Sequence, residues 1–283
     1  MKRNQLLTVL FFLLLGAAAQ AQSTVLLAFN LQAGKTYSYG ANYDINQEIQ
    51  GQKIHMRIEG LYDLSVTGVA GDNLRVRSTY RRMAISMELP TMSISGDSDH
   101  PLDTAVFSAD AMMDRMLHAI LEKSFYMTVS REGEVVAVDS VEEMTAAVFR
   151  EMNLPADREG AVRAGFERQF NATSLKESFS QAFNLYPNKV VKAGDSWKRS
   201  FRSQNTPMSI NTTYTVKAIK GDLVMVDVVS DLELTGEVSM KGTQSGNMVL
   251  ETATGLTRSG ELRQSFNGDM IMNTVCTFSG KLK

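Results

Sequence analysis

The sequence predicts an α+β fold: two related, curved antiparallel β sections with a helical segment and a hairpin packed against them. Three observations predict it. Residues 24–94, and again 189 to the end, alternate apolar and polar side chains with the two-residue period of half-buried strands. Between them the period lengthens to that of amphipathic helices. A motif also recurs. Leu31-Gln32-Ala33-Gly34-Lys35-Thr36-Tyr37 is echoed by Val191-Lys192-Ala193-Gly194-Asp195-Ser196-Trp197, and Leu64-Ser65-Val66 with Gly71-Asp72 by Tyr214-Thr215-Val216 with Gly221-Asp222. An internal echo of this kind speaks for repeated architecture before any single residue is interpreted.

Residues 1–21 read as a cleaved secretory signal. Lys2 and Arg3 form the positive start, Leu6 to Leu15 the apolar stretch, and Ala19-Gln20-Ala21 the small-residue cleavage site. The apolar run is too short to cross ~30 Å of hydrocarbon, and no later stretch reaches spanning length. The expected address is periplasmic or secreted. Residues 22–283 are expected to form one β-rich domain: a first repeat (24–102), a helical insert with a hairpin (103–187) and a second repeat (188–283).

In the first section Ile54, Met56, Ile58, Tyr62, Leu64 and Val66 share one parity, against His55, Arg57, Glu59 and Asp63. That pattern gives a strand one wet face. Gln50-Gly51-Gln52 and Gly71-Asp72-Asn73 are hairpin turns. The run from Leu74 to Met87 carries Arg75, Arg77, Arg81 and Arg82, which suits an exposed face, a sheet edge, or a dock for an anionic head group. Ser108 can cap a helix with Met112, Met113, Met116, Leu117 and Ile120 on its apolar side. Phe125 to Val138 form a hairpin turning at Arg131-Glu132-Gly133. Ser140 with Glu143, and Ser174 with Glu177, have capping-box spacing. They precede Val141, Met144 and Val148, and Leu175, Phe179 and Phe183. Val162, Phe166 and Phe170 mark a further helix between these two. In the second section Leu223 to Leu234 is nearly continuous in apolar residues, which predicts a central strand. Residues 243–250 and 255–266 pair as a hairpin. Met270, Met272, Cys276 and Phe278 point inward on the last strand.

Composition excludes several functions. Lys and Arg number 29 against 31 Asp and Glu, for a net charge of -2, so nothing favours nucleic acid. The single cysteine, Cys276, leaves no intramolecular disulfide. The three histidines, His55, His100 and His118, belong to no nucleophile motif. Ser98-Asp99-His100 are neighbours in sequence and cannot take up triad geometry. Asp97, Asp99 and Asp103 lack the glycine and the distal glutamate of a calcium loop. Met112 and Met116 share a helix face that His118 does not. No enzyme activity, metal or cofactor is expected. Tyr37, Tyr39, Tyr43, Trp197 and Phe201 suit a packed core or a carbohydrate cleft.

The 17 methionines point elsewhere. Methionine fills irregular core space and also lines adaptable apolar sites. Met112, Met116, Ile120, Met144, Val148, Phe166 and Phe179 are therefore the candidate lining of a cavity for a lipid or other hydrophobic ligand. The alternative is a structural or protein-interaction module of the cell envelope, with an envelope protein as partner and no small ligand.

The Leu31-to-Tyr37 opening, the segment Phe125 to Val135, the segment Phe183 to Trp197, and Gly242-Thr243-Gln244-Ser245-Gly246 with Thr254-Gly255-Leu256 resemble, in order and spacing, an exported bacterial domain family of unknown function. The resemblance implies an envelope address and a β-rich fold, and brings no catalytic residue, cofactor or substrate. A looser likeness, of architecture alone, is to periplasmic lipoprotein carriers, whose curved antiparallel sheet and helical lid enclose an apolar cavity.

Overall fold

A computed structural model of the protein describes residues 23–102, 108–204, 207–235, 239–268 and 270–283. The expected signal segment 1–21 and Asp103 lie outside these residues. The chain runs β1 (Thr24–Leu27), β2 (Thr36–Ile49), β3 (Gln52–Ala70), β4 (Asn73–Leu89), β5 (Met92–Asp97), α1 (Ala109–Ile120), β6 (Ser124–Val129) and β7 (Val135–Asp139). It continues through α2 (Val141–Met152), α3 (Ala156–Gln169), α4 (Ala172–Phe183), β8 (Lys189–Lys192), β9 (Ser196–Arg202), β10 (Met208–Lys220), β11 (Leu223–Leu234), β12 (Met240–Glu251), β13 (Thr257–Gly268) and β14 (Met270–Leu282).

The two β sections form one open, curved sheet, with the helical segment between them in sequence. Its strand order is β7-β6-β4-β3-β2-β14-β13-β12-β11-β10-β9, with β5 added beside β4, and every pair is antiparallel. The last strand, β14, pairs with β2 along nearly its whole length and so joins the sections. β1 and β8 make a separate two-stranded ribbon.

Turn chemistry explains the long hairpins. Gln50 and Gly51 both have positive φ, 51° and 79°, the pair of left-handed residues that a two-residue turn needs to match strand twist. Curvature has a local cause between β12 and β13. A Cβ on Gly246 would lie 2.0 Å from the Glu261 carbonyl oxygen, so only glycine permits this approach of the two main chains. Six strand spacings of ~4.8 Å would separate β2 from β9 by ~29 Å in a flat sheet. Tyr43 of β2 and Arg199 of β9 nevertheless line the same small cavity, so the sheet curls strongly.

The helices pack on the concave face. An aromatic seam holds α4 there: Phe179 meets Tyr62, Phe125 and Phe183 at centroid distances of 5.6, 5.5 and 5.6 Å, and Phe183 meets Phe29 and Tyr39 at 5.2 and 5.4 Å. Tilted and edge-on pairs of this kind add to the burial of the rings. The ends of the strands near Gly71, Gly221 and Gly255 are sealed by Phe29, Leu31, Tyr186 and Trp197, all buried. Trp197 Nε1 donates to the Leu185 carbonyl at 2.7 Å, and the Tyr186 hydroxyl to the Gly255 carbonyl at 2.8 Å.

The turns opening β2 and β9 are alike in detail. Gly34 and Gly194 have φ of 74° and 90°. Gly34 N–H donates to the Val66 carbonyl, and Gly194 N–H to that of Val216. Val66 N–H and Val216 N–H donate back to Lys35 and Asp195. Thr36 and Ser65 share a hydroxyl hydrogen bond at 2.8 Å, as Ser196 and Thr215 do at 2.9 Å.

Several local expectations are corrected. Ser140 lies in the left-handed region and makes no side-chain cap, so there is no capping box on α2. The cap of α4 is Asn171, whose side chain accepts from Ser174 N–H at 2.9 Å. Ser174 is thus inside the helix, and Glu177 reaches across to Ser203 Oγ at 2.7 Å. Ser108 does cap α1, accepting from Ala111 N–H at 3.1 Å. The strand 223–234 is central as expected, between β10 and β12, yet has one wet face: Val224, Val226 and Val228 are buried, while Val229 is 59% exposed, because the helices cover only the concave side. The arginine-rich strand β4 is no edge, having β3 on one side and β5 and β6 on the other. Three of its arginines are held by carboxylates: Arg75 by Asp139, Arg81 by Asp63 and Glu122, and Arg82 by Glu59, Asp97 and Asp99.

Candidate ligand-binding cleft

Antiparallel register puts directly paired residues on the same face, so cross-strand rows can be followed along the concave side. One row carries the site. It runs Arg199 (β9), Thr212 (β10), Ser230 (β11), Gln244 (β12), Gln264 (β13) and Thr274 (β14), and then continues as Ile45 (β2), Met56 (β3) and Met87 (β4). Six polar residues are followed by three apolar ones. The neighbouring row toward the sealed end is apolar and aromatic, with Trp197, Tyr214, Val228, Leu262, Cys276 and Tyr43. The row toward the other end holds Phe201, Ile210, Leu232, Phe266 and Met272. A polar belt thus crosses an otherwise apolar surface.

Buried polar groups must find partners, and the belt satisfies itself. Gln264 Nε2 donates to Gln244 Oε1 at 2.7 Å, and Gln244 Nε2 donates to Ser230 Oγ at 2.9 Å. Ser230 and Thr212 share a hydroxyl hydrogen bond at 2.8 Å. Arg199 closes the row. One of its terminal nitrogens donates to the Tyr186 carbonyl, while its Nε is buried with no hydrogen-bond partner.

Above the belt lies a cavity of about 70 Å³. Ser180, Gln181, Ala182 and Asn184 at the end of α4, with Leu185, form one wall. Arg199, Phe201, Thr212, Tyr214, Gln244, Gln264, Cys276 and Tyr43 are among the residues forming the others. Burial pushes the Cys276 thiol up to about 12 and the Tyr214 phenol up to about 12, the latter against the lowering pull of Thr212 and Arg199. A thiol held that high stays protonated and is no nucleophile at neutral pH. The belt hydroxyls of Thr212 and Ser230 bond to one another, and Ser230 also to the Gln244 amide.

Beyond the belt, toward the turns at residues 50–51 and 90–91, the concave face stays partly open to solvent. Ile45, Ile54, Met56, Ile58 and Met87 on the first section, and Phe201, Met208, Leu234, Met270 and Met272 on the second, are only half-buried although they point inward. Among the described residues no group of three His, Cys, Asp or Glu side chains is placed to hold a metal ion, and no helix is long and apolar enough to cross a membrane.

The seven residues expected to line a cavity lie elsewhere. Ile120, Met144, Val148, Phe166 and Phe179 are buried in the packed layer between helices and sheet, and Met112 and Met116 sit at its margin. Phe166 stacks on Phe170 at 4.4 Å and meets Phe149 edge-on at 5.6 Å. None of the seven lines the cavity at the belt. Of the aromatics considered for a cleft, Tyr43 and Phe201 do line it, while Tyr37, Tyr39 and Trp197 are core. The belt was missed. Its one legible signal is Trp197-x-Arg199-x-Phe201, an arginine between two aromatics on their own inward parity.

A family model described as "Family of unknown function (DUF6263)" matches residues 71–257. No curated protein matches the chain. Among solved structures, one described as "Lipid-protein interactions in lipovitellin" is similar over 89% of this chain, at 11% identity and a TM-score of 0.50, and this chain spans 25% of that one. The translocator domain of the autotransporter NalP from Neisseria meningitidis aligns over 96% of this chain and 95% of its own, at 4% identity and a TM-score of 0.28, too low to speak for a common fold.

Proposed function

We propose that this chain, which belongs to the DUF6263 family, is a non-catalytic binding module for a lipid or similar hydrophobic ligand. The observation that carries the proposal is the half-buried, inward-facing apolar surface at the open end of the curved sheet, from Met87, Met56 and Ile45 to Met272, Met270 and Phe201. Inward apolar groups left partly wet are costly unless something covers them, and methionine suits a ligand of variable shape. The cavity of about 70 Å³ falls well below the ~300 Å³ of small-molecule pockets, so the bulk of the ligand lies along the open rows. The lipovitellin likeness, to a protein described by its lipid interactions, agrees with this use of such a sheet. An address outside the cytoplasm is part of the same proposal and rests on the signal-like residues 1–21.

The test is ligand content and dye binding. Native mass spectrometry and organic extraction of the purified protein are expected to recover an apolar molecule, and the uncharged dye N-phenylnaphthylamine to brighten on binding. Phe201→Glu with Met272→Glu places charge on the surface and is expected to abolish dye binding with little loss of stability, since both side chains are half-exposed. An empty protein that fails to bind dye would refute the proposal, leaving the structural or protein-interaction role in its place.

A further inference from the structure

We infer that the cleft selects amphiphiles with a single carboxylate head, docked on Arg199 with the tail along the apolar rows; this rests on the binding role proposed above. Three observations converge on Arg199.

The first is its electrostatic position. Among the described residues no Asp or Glu lies within the 4.0 Å of an ion pair with it. Glu132 feels its charge, but that carboxyl is held below its usual range chiefly by Asn188, which donates to it at 2.7 Å. The guanidinium has one hydrogen bond to a main-chain carbonyl and a buried Nε with none. An unsatisfied donor on a charged group is expensive to leave in place, and a carboxylate is the group whose two oxygens match the guanidinium fork.

The second is size. The cavity beside Arg199 is small, about 70 Å³ against the ~300 Å³ of small-molecule pockets. A head group as small as a carboxylate fits there with its tail left outside. Third, the head and tail of an amphiphile would meet the surfaces they need. Thr212, Gln244 and Gln264 line the cavity beside Arg199, and Phe201 leads from it to the half-buried apolar side chains of the open end. The rival explanation, that the polar belt merely satisfies itself, accounts for Gln264, Gln244, Ser230 and Thr212. It leaves the arginine unexplained.

The experiment compares dodecanoate with dodecanol as competitors of N-phenylnaphthylamine at about pH 8, where the acid is ionised. The wild-type protein is expected to prefer the acid by about tenfold, the scale of one charge-assisted contact. Arg199→Met is expected to remove that preference by weakening the acid alone, and Arg199→Lys to keep part of it. Circular dichroism checks that both variants fold, and the wild-type comparison stands without either. Equal competition by acid and alcohol, equal weakening of both in Arg199→Met, or a preference for dodecyl phosphate over dodecanoate would each overturn the assignment while leaving hydrophobic binding intact. Failure of dye and both competitors to bind would instead overturn the binding role itself.

Discussion

Replacing Phe179 with alanine separates a core residue from a ligand-lining one. The ring is buried on α4 and meets Tyr62, Phe125 and Phe183 with centroids 5.5–5.6 Å away. Truncating a buried phenylalanine costs about 3–5 kcal/mol through lost transfer energy and the cavity left behind. Three aromatic partners place Phe179 toward the upper part of that range. In a domain of this size each kcal/mol moves the melting temperature by about 2–4 °C, so a loss of about 8–20 °C is expected. The assay is thermal melting followed by circular dichroism, with dye titration well below the melting transition. Affinity in the folded variant should stay within about twofold of wild type, because Phe179 does not line the cleft. A melting shift under about 2 °C would mean that the α4–sheet interface is not packed as described. A large loss of affinity with unchanged stability would move the site to the helical layer.

Three further outcomes follow from the sheet and its interior. Gly246→Ala should destabilise by about 3 kcal/mol or more, beyond ordinary overpacking, because its Cβ would meet main-chain atoms of β13 that cannot move without breaking the β12–β13 ladder; a melting point equal to wild type would contradict the local geometry. Burial raises Cys276 from 9.0, and Tyr62 and Tyr214 from 10.0, to about 12 each. The folded protein therefore keeps protons that the unfolded chain releases, so stability should hold up to about pH 9 and fall as the pH rises toward 12. Chemical denaturation across that window checks it, and Cys276 should ignore a thiol reagent at pH 8 until denaturant is added.

Much of the fold is legible because strand parity is local. Ile54 to Val66 alternate, Gln50-Gly51 turns with two positive φ values, and Cys276 is inward, each readable from a few neighbouring residues. Capping is less legible. Ser140-x-x-Glu143 has the right spacing, but the chain enters α2 through a left-handed residue set by the preceding hairpin. Asn171, three residues before Ser174, outcompetes it as a cap on α4. The role of Phe166 and Phe179 is only half legible in the sequence. Both are inward and aromatic as their four-residue spacing indicates, yet the same spacing serves a packed layer and a hollow one equally well. Which of the two forms depends on what the facing strand presents, and that is Tyr62, Tyr80 and Phe125, far away in sequence.

The site itself needed register. Thr212, Ser230, Gln244, Gln264 and Thr274 are single polar residues on five strands, and none stands out within its own segment. They become a belt only when four ladders are aligned. The comparison of the two sheet sections then gives the belt its meaning. Five residues beyond the matching turns at Gly34 and Gly194 stand Tyr39 and Arg199, at the same step from the same backbone conformation. Tyr39 pairs with Tyr62 and Tyr62 with Tyr80, whereas Arg199 pairs with Thr212 and Thr212 with Ser230. The tyrosine row lies under the α4 aromatics, and the polar row borders the cavity. One half of the sheet has spent this row on packing its helices; the other presents it to whatever enters. The join between β2 and β14, where Ile45 faces Thr274, is where the belt changes from polar to apolar. That row therefore carries a polar and an apolar stretch only because both halves join in one sheet, each half supplying one of the two.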